Sequence, residues 1–399
     1  MLRPFSPVAM LLAAAAAMAG CSSPPASTPT LTPRPTPTLR LQTPVPSASA
    51  VAIPSGPYAV VVTNTPRQGA TYDVVLIGVQ GQIVTRVTAK LPLLKANQTV
   101  ELPLVSASND LVYYLDGDTE IRSLSPTGAT ALVKTIAPGS SSILAFAVSP
   151  DDRRIAVSLI NQASDQNKDS GRGYVEDVAD TANHVDLFNN TAADAFRWPV
   201  GWHGSAIVDA VGGNCNGYGG AAGCVNSYHL VNSADGRRVA TVCEPPATQP
   251  ANASINVSPN GLPVSGGVAC VKTFYYNDQT ATNAGYMLAV DWTGHSITLA
   301  TADKSGQLPY GDCYLAPGAT QMACTANSSQ ALTLIAAGAS PHNLGRRYNV
   351  LGWMDATHLL VGIDSKTLAV LTTTSGAAVN LALADADKAD MGGTDPGAL

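Results

Sequence analysis

The sequence predicts an all-β chain: a single β-propeller, a closed ring of four-stranded sheets, behind a leader and a disordered linker. Three observations carry that prediction. Short apolar runs of strand length recur along most of the chain, and no stretch of helical period competes with them. Turn residues punctuate these runs: 399 residues include 35 glycines and 28 prolines, and only 13% are charged. One hairpin grammar also repeats, with turn landmarks at Gln68, Asn109, Pro150, Gly204, Pro259, Pro317 and Asp355 that lie 41, 41, 54, 55, 58 and 38 residues apart. Four strands recurring near every 40 residues is the spacing of propeller blades. Seven blades is the count these landmarks give; six and eight also accommodate the chain.

The leader is residues 1–20. Arg3 supplies a positive start and Val8 to Met18 an apolar run too short to span a bilayer. Ala17-Met18-Ala19-Gly20-Cys21 follows. Small residues ahead of a cysteine resemble the bacterial lipoprotein box. The resemblance implies that Cys21 becomes the lipidated, palmitate-type first residue of a chain held on the extracytoplasmic face of a cell membrane. Ordinary secretion with cleavage near Ala19 is the alternative. The net charge is −6, and losing Arg3 with the leader makes it −7. Anchoring therefore falls to the acyl chains rather than to electrostatics. Residues 21–56 are rich in Pro, Thr and Ser, bury too little apolar surface to fold, and read as an extended stalk.

The propeller is expected over 57–384. Tyr58–Val62, Tyr72–Ile77 and Gln82–Val87 read as three strands of a first unit, whose fourth is expected from Leu381–Leu383 or Ala50–Ile53. Leu104–Ser106, Leu111–Leu115 and Thr119–Leu124 begin the second. The clearest hairpin is Ile143 to Ile160, apolar on both faces and therefore buried on both, turned by Ser149-Pro150-Asp151-Asp152. Weaker copies surround Gly204, Pro259, Pro317 and Asp355, with loop insertions expected at 161–182, 211–226 and 244–254. The tail, 385–399, reads as frayed.

VSPDDRRIAVS resembles the SPDG-type hairpin of bacterial WD-repeat-like and Tol-system-type β-propellers, and LGWMDATHLLVGID resembles a hairpin common in the same proteins. The resemblance spans about Tyr58 to Leu383. It specifies blades, not chemistry.

Beyond Cys21, six cysteines remain: Cys215, Cys224, Cys243, Cys270, Cys313 and Cys324. An even number in an exported chain suggests disulfides, and six cysteines allow 15 pairings. Neighbour pairing is expected. Cys313 and Cys324 flank Pro317-Gly318-Ala319, Cys215 and Cys224 bracket a Gly-rich loop, and Cys243–Cys270 is the remainder.

Candidate ligand sites are few. Asp165, Asn167, Asp169 and Glu176 fall at positions 1, 3, 5 and 12 of a calcium-type loop, although Ser170 replaces the usual glycine and Arg172 the usual aliphatic residue. A solvated polar insertion accounts for them as well; apart from calcium no cofactor is implied. Asn214, Asn216 and Tyr218 are candidate contacts for a protein, peptide or glycan. The histidines are isolated in sequence and read as structural. Trp202 and Trp353 hold equivalent blade positions and read as packing residues, whereas Trp198 and Trp292 are candidates for a binding surface. The Gly-x-Ser-x-Gly elbow of hydrolases does not occur. No basic patch points to nucleic acid. The favoured expectation is a monomeric, lipid-anchored binding or scaffold module. A propeller hydrolase or lactonase with an axial divalent metal and a purely structural envelope component are the alternatives.

Overall fold

The computed structural model describes residues 55–63, 70–95, 98, 102–163, 168–191, 196–212, 225–276, 284–303, 307–383, 389–395 and 397–399. They form seven four-stranded antiparallel sheets in a ring. Blade 1 contains β1 (Tyr58–Thr63), β2 (Thr71–Gly78) and β3 (Ile83–Lys90). Blade 2 is β4 (Val105–Ala107), β5 (Val112–Asp116), β6 (Glu120–Leu124) and β7 (Thr130–Thr135). Blade 3 is β8 (Ser142–Val148), β9 (Arg154–Asn161), β10 (Ser170–Asp177) and β11 (Val185–Thr191). Blade 4 is β12 (Arg197–His203), β13 (Ala206–Gly212), β14 (Val225–Asn232) and β15 (Arg238–Val242). Blade 5 is β16 (Ala253–Val264), β17 (Gly267–Tyr276), β18 (Ala284–Val290) and β19 (Ser296–Thr301). Blade 6 is β20 (Tyr310–Leu315), β21 (Gln321–Ala326), β22 (Leu332–Ala336) and β23 (His342–Asn343). Blade 7 is β24 (Asn349–Trp353), β25 (His358–Gly362), β26 (Leu368–Thr372) and β27 (Ala377–Asn380). Among the described residues no helix is long and apolar enough to cross a membrane.

The fourth strand of blade 1 is β28 (Ala389–Asp395), which pairs with β1 from Thr63↔Ala389 to Tyr58↔Asp395. This corrects the expectation of a frayed tail at 389–395, and Leu381–Leu383 does not complete the sheet; Ala50–Ile53, 385–388 and Pro396 lie outside the described residues. The physical reason is the free edge of β1, whose Ala59, Val60 and Val61 are almost wholly buried. An unpaired buried edge leaves backbone groups without partners, and β28 supplies them. Leu381 and Leu383 instead pack with Ala59, Val61 and Leu360 between blades 7 and 1.

The hairpin at Ile143–Ile160 forms as expected, in register from Ile143↔Ile160 to Val148↔Ile155. Its turn is tied by Ser149 Oγ, which lies 2.6 Å from Asp151 Oδ1 and accepts from Arg154 N at 2.9 Å. The Tyr113 hydroxyl donates to Asp152 at 2.7 Å, joining this turn to blade 2. Between blades, indole N–H groups act alike at two places: Trp202 donates to Ala147 O at 3.1 Å and Trp353 to Tyr314 O at 2.8 Å. Each reaches the first strand of the preceding blade. Trp198 and Trp292 are also buried, at 1% exposure each; Trp292 is a core residue rather than part of a binding surface, whereas Trp198 lines the axial cavity.

The insertion expected at 161–182 contains β10. Gly171 and Gly173 interrupt its apolar pattern and hide the strand in the sequence, although Tyr174 and Val175 are core residues. Of 211–226, residues 213–224 lie outside the described residues and the flanks belong to β13 and β14. Residues 244–252 join β15 to β16.

Candidate functional site

The first strands of blades 2 and 4 to 7, together with β28, line one cavity of about 520 Å³ at the axis. Its position follows from the meander. Each sheet begins at the axis and works outward, so residues of different blades converge only there. The wall is mostly apolar, built from residues such as Leu104, Trp198, Val200, Leu315, Trp353 and Met391. Asp355 and Asp390 bring carboxylates to it, and no Lys, Arg or His lines it among the described residues.

Asp355 is committed to its own turn. Its carboxylate accepts from Thr357 N at 2.7 Å and His358 N at 2.8 Å, and lies 2.8 Å from His358 Nδ1. These bonds hold its carboxyl below the ordinary carboxylate range against the opposing effect of burial. Burial, with the charges of Asp312 and Asp390, pushes the Tyr314 hydroxyl up to about 12. Tyr314 is thus a neutral donor on the cavity wall at any physiological pH.

One end of the cavity is crossed by residues 397–399. Gly397 N donates to Ser108 O and Leu399 N to Trp202 O, both at 2.8 Å. Ala398 makes a parallel bridge with Trp202, and His203 Nδ1 lies 2.7 Å from Leu399 O. Having left β28 in blade 1, the segment therefore touches blades 2 and 4.

Of the sequence-predicted residues that the structure describes, Trp198 lines this cavity and Asp169 and Glu176 do not. Asp165 and Asn167 lie outside the described residues, as do Cys21, Asn214, Asn216, Tyr218, Cys215 and Cys224. Asp169 and Glu176 stand at opposite ends of extended β10, seven residues or roughly 20 Å apart. They cannot share one ion as positions 5 and 12 of a calcium loop, and that part of the reading is corrected. Asp169 accepts from Ala163 N at 2.7 Å, while Glu176 is 2.8 Å from Lys134 Nζ of blade 2 and 3.1 Å from His184 Nδ1. Among the described residues no three His, Cys, Asp or Glu are grouped to hold a metal ion. Cys243–Cys270 and Cys313–Cys324 are disulfide-bonded, with Cα atoms 5.7 and 4.1 Å apart. The second pair sits in direct register across the β20–β21 hairpin.

What sequence reasoning missed is the tail. Its signal is faint: Ala389 and Met391 alternate in an otherwise polar and glycine-containing stretch. Three residues used only as turn landmarks, Asn109, Pro317 and Asp355, line the cavity.

No family model matches this chain, and no curated protein matches it. Solved structures do. An oligogalacturonate lyase in complex with manganese is 13% identical, with 79% of this chain and 84% of that one covered, at a TM-score of 0.44. An oligogalacturonate lyase from Vibrio parahaemolyticus is 10% identical, covering 81% and 90%, also at 0.44. Apo AztD from Citrobacter koseri is 10% identical, covering 86% and 99%, at 0.40. Likeness of this degree concerns the fold alone, and no residue role passes from these proteins to this chain. The class that the fold defines is the seven-bladed β-propeller.

Proposed function

We propose that this chain is an exported, lipid-anchored propeller that serves as a binding module for a protein, peptide or glycan, with the axial cavity as its recognition site. The observation that carries the reading is the cavity itself. It is mostly apolar, about 520 Å³ in volume, and carries a few polar groups, which is the usual make-up of a ligand site. Two disulfides support an oxidising compartment outside the cytoplasm. The Cys21 motif supports the anchor, with acyl chains supplying the membrane affinity. The module acts as a monomer and needs no cofactor. The alternative with an axial metal hydrolase would draw on Asp355 and Asp390, and Asp355 is already occupied by its turn and His358.

The neutral apolar dye Nile red tests the cavity. The expected result is saturable fluorescence gain with the full chain, reduced about tenfold or more in affinity by Ser265→Trp at the cavity mouth. No saturable uptake, or uptake indifferent to that substitution, contradicts the reading. For the anchor, Cys21→Ser should move the chain from the membrane fraction to the soluble one; an unchanged distribution contradicts lipidation at Cys21.

A further inference from the structure

The segment crossing the cavity is itself a short extended peptide seated on the propeller. Its hold on the ring is almost entirely main chain: two backbone N–H donations, the bridge to Trp202 and the contact from His203 to Leu399 O. Main-chain bonds of that kind accept many sequences and leave selection to side-chain pockets. One such pocket is present. The Leu399 side chain packs against the cluster that contains Trp198 and Val208, over Gly201, where an added Cβ would collide with it. A second constraint lies two residues earlier, where Gly397 runs so close to the Ala107 carbonyl that any side chain would strike it. The seat therefore reads a pattern: a glycine, one exposed residue, then a leucine-sized apolar side chain.

We propose that the axial site takes an extended peptide of this Gly-x-Leu type, and that residues 397–399 are its resident occupant, displaced when an outside peptide binds. The proposal rests on the cavity being the recognition site. It adds the ligand class and a built-in competitor. A site filled by its own chain shows an outside ligand a reduced apparent affinity, in proportion to the fraction of time the seat stands empty.

The test uses the full chain and a fluorescein-labelled peptide of sequence Thr-Asp-Pro-Gly-Ala-Leu, read by anisotropy. Leu399→Asp removes the apolar anchor of the resident segment, and this variant is expected to bind the peptide about tenfold or more tightly than the unaltered chain. Gly201→Leu fills the pocket and should abolish binding, as should valine in place of the peptide's glycine. Equal affinity for the unaltered chain and Leu399→Asp overturns the proposal. So does absence of binding to Leu399→Asp while that variant still takes up Nile red, a result that leaves the cavity reading standing. Loss of Nile red uptake in the unaltered chain contradicts both. Should Leu399→Asp fail to fold, amide exchange in the unaltered chain decides. Protection at Gly397 and Leu399 that falls when excess peptide is added supports displacement; protection that is absent, or unmoved by peptide, overturns it.

Discussion

An indole N–H buried between two sheets needs an acceptor, and Trp202 and Trp353 each find one on the preceding blade. Their equivalence is legible in the sequence because both sit in the same hairpin grammar. Trp198 and Trp292 share no such frame, so their burial is visible only once the sheets are assembled. Trp353→Phe removes the indole N–H donated to the Tyr314 carbonyl together with one of the two fused rings packed there, and should cost about 1–3 kcal/mol in urea unfolding. No change in the midpoint would show that the bond contributes nothing. Blade 4 carries two buried groups that titrate, Asp209 and His229, each beside an arginine. Arg197 donates to Asp209 at 2.8 Å, and Arg238 lies 3.2 Å from His229. Desolvation outweighs Arg197 and raises Asp209 to about 6, while burial and the two arginines lower His229 to about 4. In the folded protein Asp209 keeps a proton that the unfolded chain releases, so its stabilising contribution fades as pH rises through about 6. His229 refuses a proton that the unfolded chain accepts, so its contribution fades as pH falls from 6.5 toward 4. The two slopes oppose each other. Relative to the unaltered chain, Asp209→Asn should make stability climb more steeply with pH across that window, and His229→Gln should make it climb less. Parallel curves for all three would contradict the assignment.

At the scale of elements, the two disulfides do different work. Cys313–Cys324 joins neighbouring strands of one hairpin across 11 residues, whereas Cys243–Cys270 spans 27 residues and links the end of blade 4 to blade 5. Loop-closure entropy makes the longer bridge the larger constraint on the unfolded chain. Replacing Cys243 and Cys270 by alanine should lower stability by about 3–4 kcal/mol, and the Cys313 and Cys324 pair should cost roughly 0.5–1 kcal/mol less. The reverse order in matched denaturation curves would contradict this account. The hairpin bridge is legible from its turn, since Pro317-Gly318-Ala319 sets the register. The closing strand β28 is not. Gly392 and Gly393 are poor strand formers, and what recruits that segment is the vacant edge of β1, a property of distant residues that no local pattern encodes. The same limit hid β10, whose glycines and charges matched a calcium loop more visibly than a strand.

Seven small sheets, each too thin to bury both of its faces alone, gain stability by packing on their neighbours around an axis. The spacing of turn landmarks made that architecture legible without any single strong motif. It could not reveal the site, because residues such as Leu104, Trp198, Leu315 and Trp353 come from different repeats and meet only when the ring closes. Closure rests on a strand from the far end of the chain, and the residues after that strand cross the cavity it helps to form. The ring and the proposed recognition site thus share one segment. The most direct measurement is a hydrogen-exchange footprint of the full chain with and without saturating Nile red. The account predicts added protection at 102–107, 262–265 and 389–395 along the axis, with β3, β7, β11 and β15 at the rim unchanged. A footprint confined to the rim strands, or no footprint at the axis, would contradict it.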